Sequence, residues 1–177
     1  MLFLGAAYSE GYGVQADFVE SAKWRRASAE KGNSMAMFAL GVMYMTGMGV
    51  PSDVAESLRW YRKASDHGNL DAAFTLGDRY ARGQGVTADY REAVSWFRKA
   101  AEGGHSEAMC RLGLFYAKGA GVPKSCIEAF KWFLLSSSKG VENAEIYLEE
   151  IQRSMTPSQI DAGARAARDW NPTARAT

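Results

Sequence analysis

Apolar positions fall into two alternating helical patterns along the chain. In "NSMAMFALGVMYMT", Ala36, Leu40, Gly41 and Tyr44 lie at i, i+4, i+5 and i+8, one face of an α-helix. In "DVAESLRWYRKASDHG" a second stripe runs through Ala55, Leu58 and Trp60 or Tyr61. The two patterns recur with a step of 36 residues, as Leu4, Leu40, Leu76, Leu112 and Leu148 show. Gly5, Gly41, Gly77 and Gly113 keep the same step, and so do Tyr8, Tyr44, Tyr80 and Tyr116. Trp24, Trp60, Trp96 and Trp132 form a fourth series. A fixed period of this size predicts stacked helix pairs, since one pair alone cannot bury both its faces. The reading is one all-α repeat domain over 1–177, with units at about 1–33, 34–69, 70–105 and 106–141. An atypical fifth unit and cap follow at 142–171, then a tail at 172–177.

The boundaries of each helix carry their own chemistry. "GYGVQAD", "GMGVPSD", "GQGVTAD" and "GAGVPKS" join the first helix of each unit to the second. Gly47 is expected to end the first helix in the left-handed conformation, and Gly49 to turn the chain with positive φ. Val50 is expected to drop between the two helices. Asp17-x-x-Glu20, Asp53-x-x-Glu56, Asp89-x-x-Glu92 and Ser125-x-x-Glu128 read as capping boxes for the second helix. That helix ends in cations such as Arg62 and Lys63, where the helix dipole favours them. Gly32, Gly68, Gly104 and Gly140 follow, and Asn33, Asn69 and His105 are placed to cap the next first helix. The repeating Tyr and Trp read as core, each hydroxyl and indole N–H finding a partner or solvent.

Composition changes this picture little. The 177 residues are 47% apolar and 23% charged with a net charge of +1, an ordinary globular balance. The absence of a basic block argues against nucleic-acid binding. No run approaches the length of a membrane helix, and "MLFLGAAYSEG" lacks the charged start of a signal peptide. A Gly-x-Gly loop can cradle a phosphate, but a loop repeated four times is a structural device. The repetition also argues against reading the aromatics as a ligand cage. No cofactor or metal is expected, because no Cys or His cluster has ligand spacing.

The pattern A-x-x-x-L-G-x-x-Y-x-x-G-x-G-V-x-x-D-x-x-x-A-x-x-W, matched almost throughout by "AAFTLGDRYARGQGVTADYREAVSWFRKAAEGG", resembles the Sel-1-like repeat family. The resemblance covers residues 1 to about 143. It implies a tetratricopeptide-like, right-handed α/α superhelix whose first helices line the concave side, and a scaffold or adaptor role without catalysis. "MTPSQIDAGARAARDW" resembles the closing helix of bacterial members, with Thr156 as N-cap, Pro157 at N1 and Gln159 at N3. Ile160, Ala164, Ala167 and Trp170 are expected to face the core, Pro172 to stop the helix, and Leu134 and Leu135 to lie beneath it. Some cysteine-rich relatives have been described as penicillin-binding hydrolases, which makes a β-lactamase-like hydrolase the alternative function. Their cysteine spacing is absent here. Met1 aligns with Met37, so the first unit lacks the start of its first helix. The natural chain is therefore expected to extend upstream, or this open end to meet a partner or another copy.

Catalytic readings find no constellation. His67 falls in an inter-repeat loop, and His105 at a capping position. Cys110 and Cys126 fall at core positions too far apart to bridge. "SSSK" at Ser136 has the spacing of a Ser-x-x-Lys nucleophile, but at a helix end. The binding site is instead expected on the variable face of the first helices, starting from Ala39. It comprises Val42, Met43 and Thr46, then Thr75, Asp78, Arg79 and Arg82, then Arg111, Leu114, Phe115 and Lys118. Its apolar and cationic mixture suits a protein or peptide with acidic residues. Cytoplasm is the default location, with periplasm next if an upstream signal is missing.

Overall fold

The computed structural model describes residues 2–170 and contains ten α-helices among them. They are α1 (Leu2–Glu10), α2 (Phe18–Ala29), α3 (Ser34–Thr46), α4 (Val54–Asp66) and α5 (Leu70–Arg82). The chain continues through α6 (Tyr90–Glu102), α7 (Ser106–Lys118), α8 (Cys126–Ser137), α9 (Ala144–Gln152) and α10 (Pro157–Arg168). The expected helix pairs are all present, and the fold is an all-α repeat solenoid. Contacts divide the chain into two compact units, Met1–Leu76 and Gly77–Thr177, with the boundary inside α5. The stop at Pro172 lies outside the described residues.

In the first unit, Gly5 and Gly41 let paired helices approach closely. A Cβ at Gly41 would lie 2.5 Å from the Tyr61 ring, and one at Gly5 would lie 2.7 Å from Arg25 Cγ. Ser21 and Ser57 are buried beside them and donate to the carbonyls of Gly5 and Gly41 at 2.7 and 2.6 Å. The core gathers Met37, Leu40, Met43, Trp60 and Ala64, with Leu2, Phe38, Tyr44 and Val50 packed against it. Val50 does drop inward, as expected of the turn.

The second unit repeats the device. A Cβ at Gly77 would lie 2.7 Å from Phe97, and one at Gly113 would lie 2.6 Å from Phe133. Phe97, Met109, Leu112 and Phe133 are fully buried. Thr156 and Gln159 form a complete capping box with Pro157 at the helix start. The cap α10 packs on α8 with Ala167 and Trp170 turned inward as expected, but onto Phe130 and Trp132 and with Gly163 as an added contact. A Cβ at Gly163 would meet the Phe130 ring at 2.7 Å, and Trp170 meets Trp132 edge-on at 6.1 Å. Gly163 is a small-residue contact and Trp170 lies beyond the last helical residue, so the packing falls on Phe130 and Trp132. Leu134 and Leu135 are half-buried.

Two boundary expectations are corrected. Asp17, Asp53 and Asp89 do accept from backbone N–H groups of the first helical turn. The reciprocal bond from Glu to the N-cap is not made there, because each N-cap N–H is already engaged. Asp17 and Asp53 donate to the carbonyls of Tyr8 and Tyr44, both at 2.8 Å. Asp89 and Ser125 donate to those of Tyr80 and Tyr116, both at 3.0 Å. The freed glutamates pair forward instead, Glu20 with Lys23, Glu56 with Arg59 and Glu128 with Lys131. The indole nitrogens of Trp60, Trp96 and Trp132 are buried without a hydrogen bond. Glu56 lies near enough to the Trp60 indole to be influenced by it, but outside hydrogen-bond geometry. Cations sit over the rings: Lys63 is 4.6 Å from Trp60 and Lys131 is 4.5 Å from Trp132.

Candidate partner-binding grooves

First helices line an open groove in each unit. In the first unit, α1, α2 and α3 enclose a groove of about 670 Å³. Leu2 and Phe3 of α1, Phe18 of α2, and Met35, Phe38 and Val42 of α3 form much of its wall, with Met48 beyond. Phe3 is 87% exposed and Met35 63% exposed, so this lining is dry side chain facing water. Arg25 lies in the same groove, held by two hydroxyls. Its Nε donates to Ser21 Oγ at 3.2 Å and its Nη2 to Ser9 Oγ at 3.0 Å. Burial pushes the Arg25 guanidinium below the ordinary arginine range, with Glu10 opposing.

The second unit has its own groove, of about 600 Å³, between α7 and α9. Arg111, Leu114 and Lys118 come from α7, and Tyr147, Glu150 and Ile151 from α9. Phe133 closes its inner side. Apolar floor and charged rim are thus supplied by residues four and seven apart on one helix face.

The expected site residues divide accordingly. Val42 faces the first groove; Arg111, Leu114 and Lys118 face the second. Met43 also lines the first groove, but at 4% exposed it belongs mainly to the core and forms the floor there. Thr46 is exposed, and its hydroxyl bonds the Val42 carbonyl of its own helix at 3.0 Å. Thr75 is half-buried. Asp78 and Arg82 pair with each other at 2.9 Å, which leaves neither charge free. Arg79 is half-buried with its Nε shielded from solvent. Phe115 is half-buried and packs on Phe97 at 5.5 Å and Tyr90 at 5.8 Å, so it supports the helix pair. Sequence reasoning missed Phe3, Phe18, Met35 and Arg25. The signal for Arg25 was present: it takes the repeat position of Tyr61, Phe97 and Phe133.

The catalytic candidates are occupied structurally. Ser136 is fully buried and donates to the Ser106 carbonyl at 3.0 Å. His105 caps α7 by accepting from the Ala108 N–H at 3.2 Å. His67 is exposed at the end of α4, its Nδ1 2.9 Å from the Lys63 carbonyl. Cys110 and Cys126 are free thiols, Cys110 buried and Cys126 half-buried. Burial pushes the Cys110 thiol up, against Arg111 and Ser136. Among the described residues no three His, Cys, Asp or Glu are placed to hold a metal, and no helix is long and apolar enough to cross a membrane.

Comparison with known proteins agrees with the repeat geometry. A family model described as the Sel1 repeat matches residues 1–33, 34–69, 70–105 and 106–141. A protective antigen of uropathogenic Escherichia coli with an SLR fold is 32% identical, with a TM-score of 0.80. The match covers 95% of this chain, which spans only 37% of the antigen. A Sel1 repeat protein from Oxalobacter formigenes is 36% identical over 93% of this chain and 71% of its own, with a TM-score of 0.77. Cysteine rich protein B of Helicobacter pylori shares the fold at 21% identity and a TM-score of 0.57, over 71% of this chain and 93% of its own. No curated protein matches the chain.

Proposed function

The chain belongs to the Sel1 repeat family, and from that premise we propose that it is a non-catalytic adaptor whose first helices bind protein or peptide partners. Sel1 repeats are commonly protein-interaction scaffolds. The observation that carries the reading is the pair of open grooves, one in each unit, both lined by first helices. Apolar side chains exposed side by side mark an interaction surface, where the same residues scattered singly would not. Rigid, repeated helix pairs hold such a groove in shape before a partner arrives, which limits the ordering cost of binding.

In the second groove Arg111 and Lys118 flank Leu114, so an apolar segment with acidic neighbours suits it. Affinity capture followed by mass spectrometry tests the adaptor reading. Wild type is compared with Leu114→Glu/Lys118→Glu and with Phe3→Ser. Partners lost with either variant, while both keep the wild-type melting temperature, support the reading. Equal recovery of every partner by all three proteins counts against it.

A further inference from the structure

The first groove carries one charge that the repeat pattern does not call for. Where the other pairs set an aromatic ring against the glycine of the first helix, this pair sets Arg25 against Gly5. Tyr61, Phe97 and Phe133 fill that place in later repeats and are nearly fully buried. A guanidinium there forgoes that apolar burial, and it does so inside a largely apolar groove of about 670 Å³. Two serine hydroxyls take one N–H each, of the five that a guanidinium carries. Among the described residues no carboxylate lies within ion-pair distance of Arg25, although Glu10 is near enough to act on it. The hydroxyls therefore orient the cation without neutralising it. Asp71 also lines the groove but is exposed, where water weakens its field.

Resting on the adaptor reading, we infer that this groove takes an apolar peptide segment of another protein bearing one Asp or Glu side chain, which pairs with Arg25. Charge complementarity commits the site to an anion, since a half-buried guanidinium gains most from a carboxylate brought to it out of water. The surrounding wall of Phe3, Phe18, Met35 and Met48 commits the rest of the segment to apolar side chains. Methionine at three of the wall positions (Met35, Met43 and Met48) makes that wall adaptable in shape, so specificity falls on the charge. A chain-terminal carboxylate suits backbone N–H nests, whereas the groups bonded to Arg25 are the hydroxyls of Ser9 and Ser21, which accept from it and donate to the carbonyls of Ala6 and Gly5. The acid is therefore placed on a side chain.

The full chain should be panned against a random dodecapeptide display library, and hits resynthesised as C-terminal amides. Expected hits carry apolar residues around one Asp or Glu, and replacing that residue by its amide weakens binding about tenfold. The variant Arg25→Tyr installs the residue that the next repeat uses at this place. It should fold with an unchanged or higher melting temperature and bind acid and amide peptides alike. Phe3→Ser, at an exposed wall position, should weaken every hit. Hits without acid preference would overturn the inference and leave the adaptor reading standing. Hits that bind only with a free C-terminal carboxylate would overturn the side-chain assignment. No enriched peptide would sink both readings for this groove. A concentration-dependent dimer that Arg25→Tyr dissociates would give the groove to a second copy and overturn the inference.

Discussion

A methyl group at Gly121 would lie 2.4 Å from the Tyr90 backbone, closer than any real Cβ contact, whereas one at Gly68 would meet nothing within 4 Å. Both glycines have positive φ, 70° and 83°. The comparison separates conformational strain from close approach. Gly68→Ala should cost about 1–2 kcal/mol, the penalty of a left-handed L-residue. Gly121→Ala adds a collision with backbone that no rotamer relieves, and should cost about 3 kcal/mol or more. Chemical denaturation of the two variants checks the order, and equal midpoints would show that the turn does not press on the start of α6. The need for glycine was legible in the sequence as a four-fold Gly-x-Gly-Val. Its second cause was not, because the Tyr90 backbone lies 31 residues earlier in the chain. Arg98 adds to that hidden layer: its Nη2 donates to the Tyr116 hydroxyl of the next first helix at 2.9 Å.

At the scale of the element, the second helices begin with one half of a capping box. In α4, Asp53 accepts from the Glu56 N–H at 2.9 Å while its own N–H goes to Tyr44. Asp53→Ala should cost about 1 kcal/mol, the usual value of a lost N-cap. Glu56 instead accepts from Arg59 at 2.8 and 2.6 Å. That hydrogen bond holds the Glu56 carboxyl below its ordinary range, with burial opposing. A carboxyl with a depressed folded-state value stabilises above its unfolded value and loses that contribution as pH falls through the folded one. Glu56→Gln should therefore melt slightly below wild type at neutral pH, by the equivalent of about 0.5 kcal/mol. The two curves should converge in acid, below the carboxylate range. A gap that persists there would mean packing, not charge. Sequence spacing reads Asp and Glu alike as a box, because it cannot see that the tyrosine carbonyl has claimed the N-cap donor. The same blindness affects the buried Trp60, Trp96 and Trp132 indoles, whose partners would have to come from elsewhere in the fold. By contrast, Asn33, Asn69 and His105 act within three residues of themselves, and all three cap as the sequence predicts.

At the scale of the molecule, a repeat array is stabilised by neighbours, so its outermost helix pair needs a cover that is not itself a repeat. In the second unit α10 is that cover, started by a complete capping box and laid on α8. The contact is close: Gly163 sits against Phe130 and the Ile127 carbonyl, and Ala167 is buried behind it. Removing α10 by a stop after Ser154 would bare Phe130 and Trp132, two large side chains that are now 5% and 3% exposed. The shortened chain should melt lower and scatter more light at equal concentration, because a terminal apolar face invites association. A finer variant isolates the packing from the loss of chain. Gly163→Leu leaves α10 intact and a better helix former, yet forces its side chain into the Phe130 ring. If α10 is held by this contact, the substitution should destabilise by about 1–3 kcal/mol despite the gain in helix propensity. A chain stabilised by Gly163→Leu would instead mean that α10 stands off α8 and is not its cover.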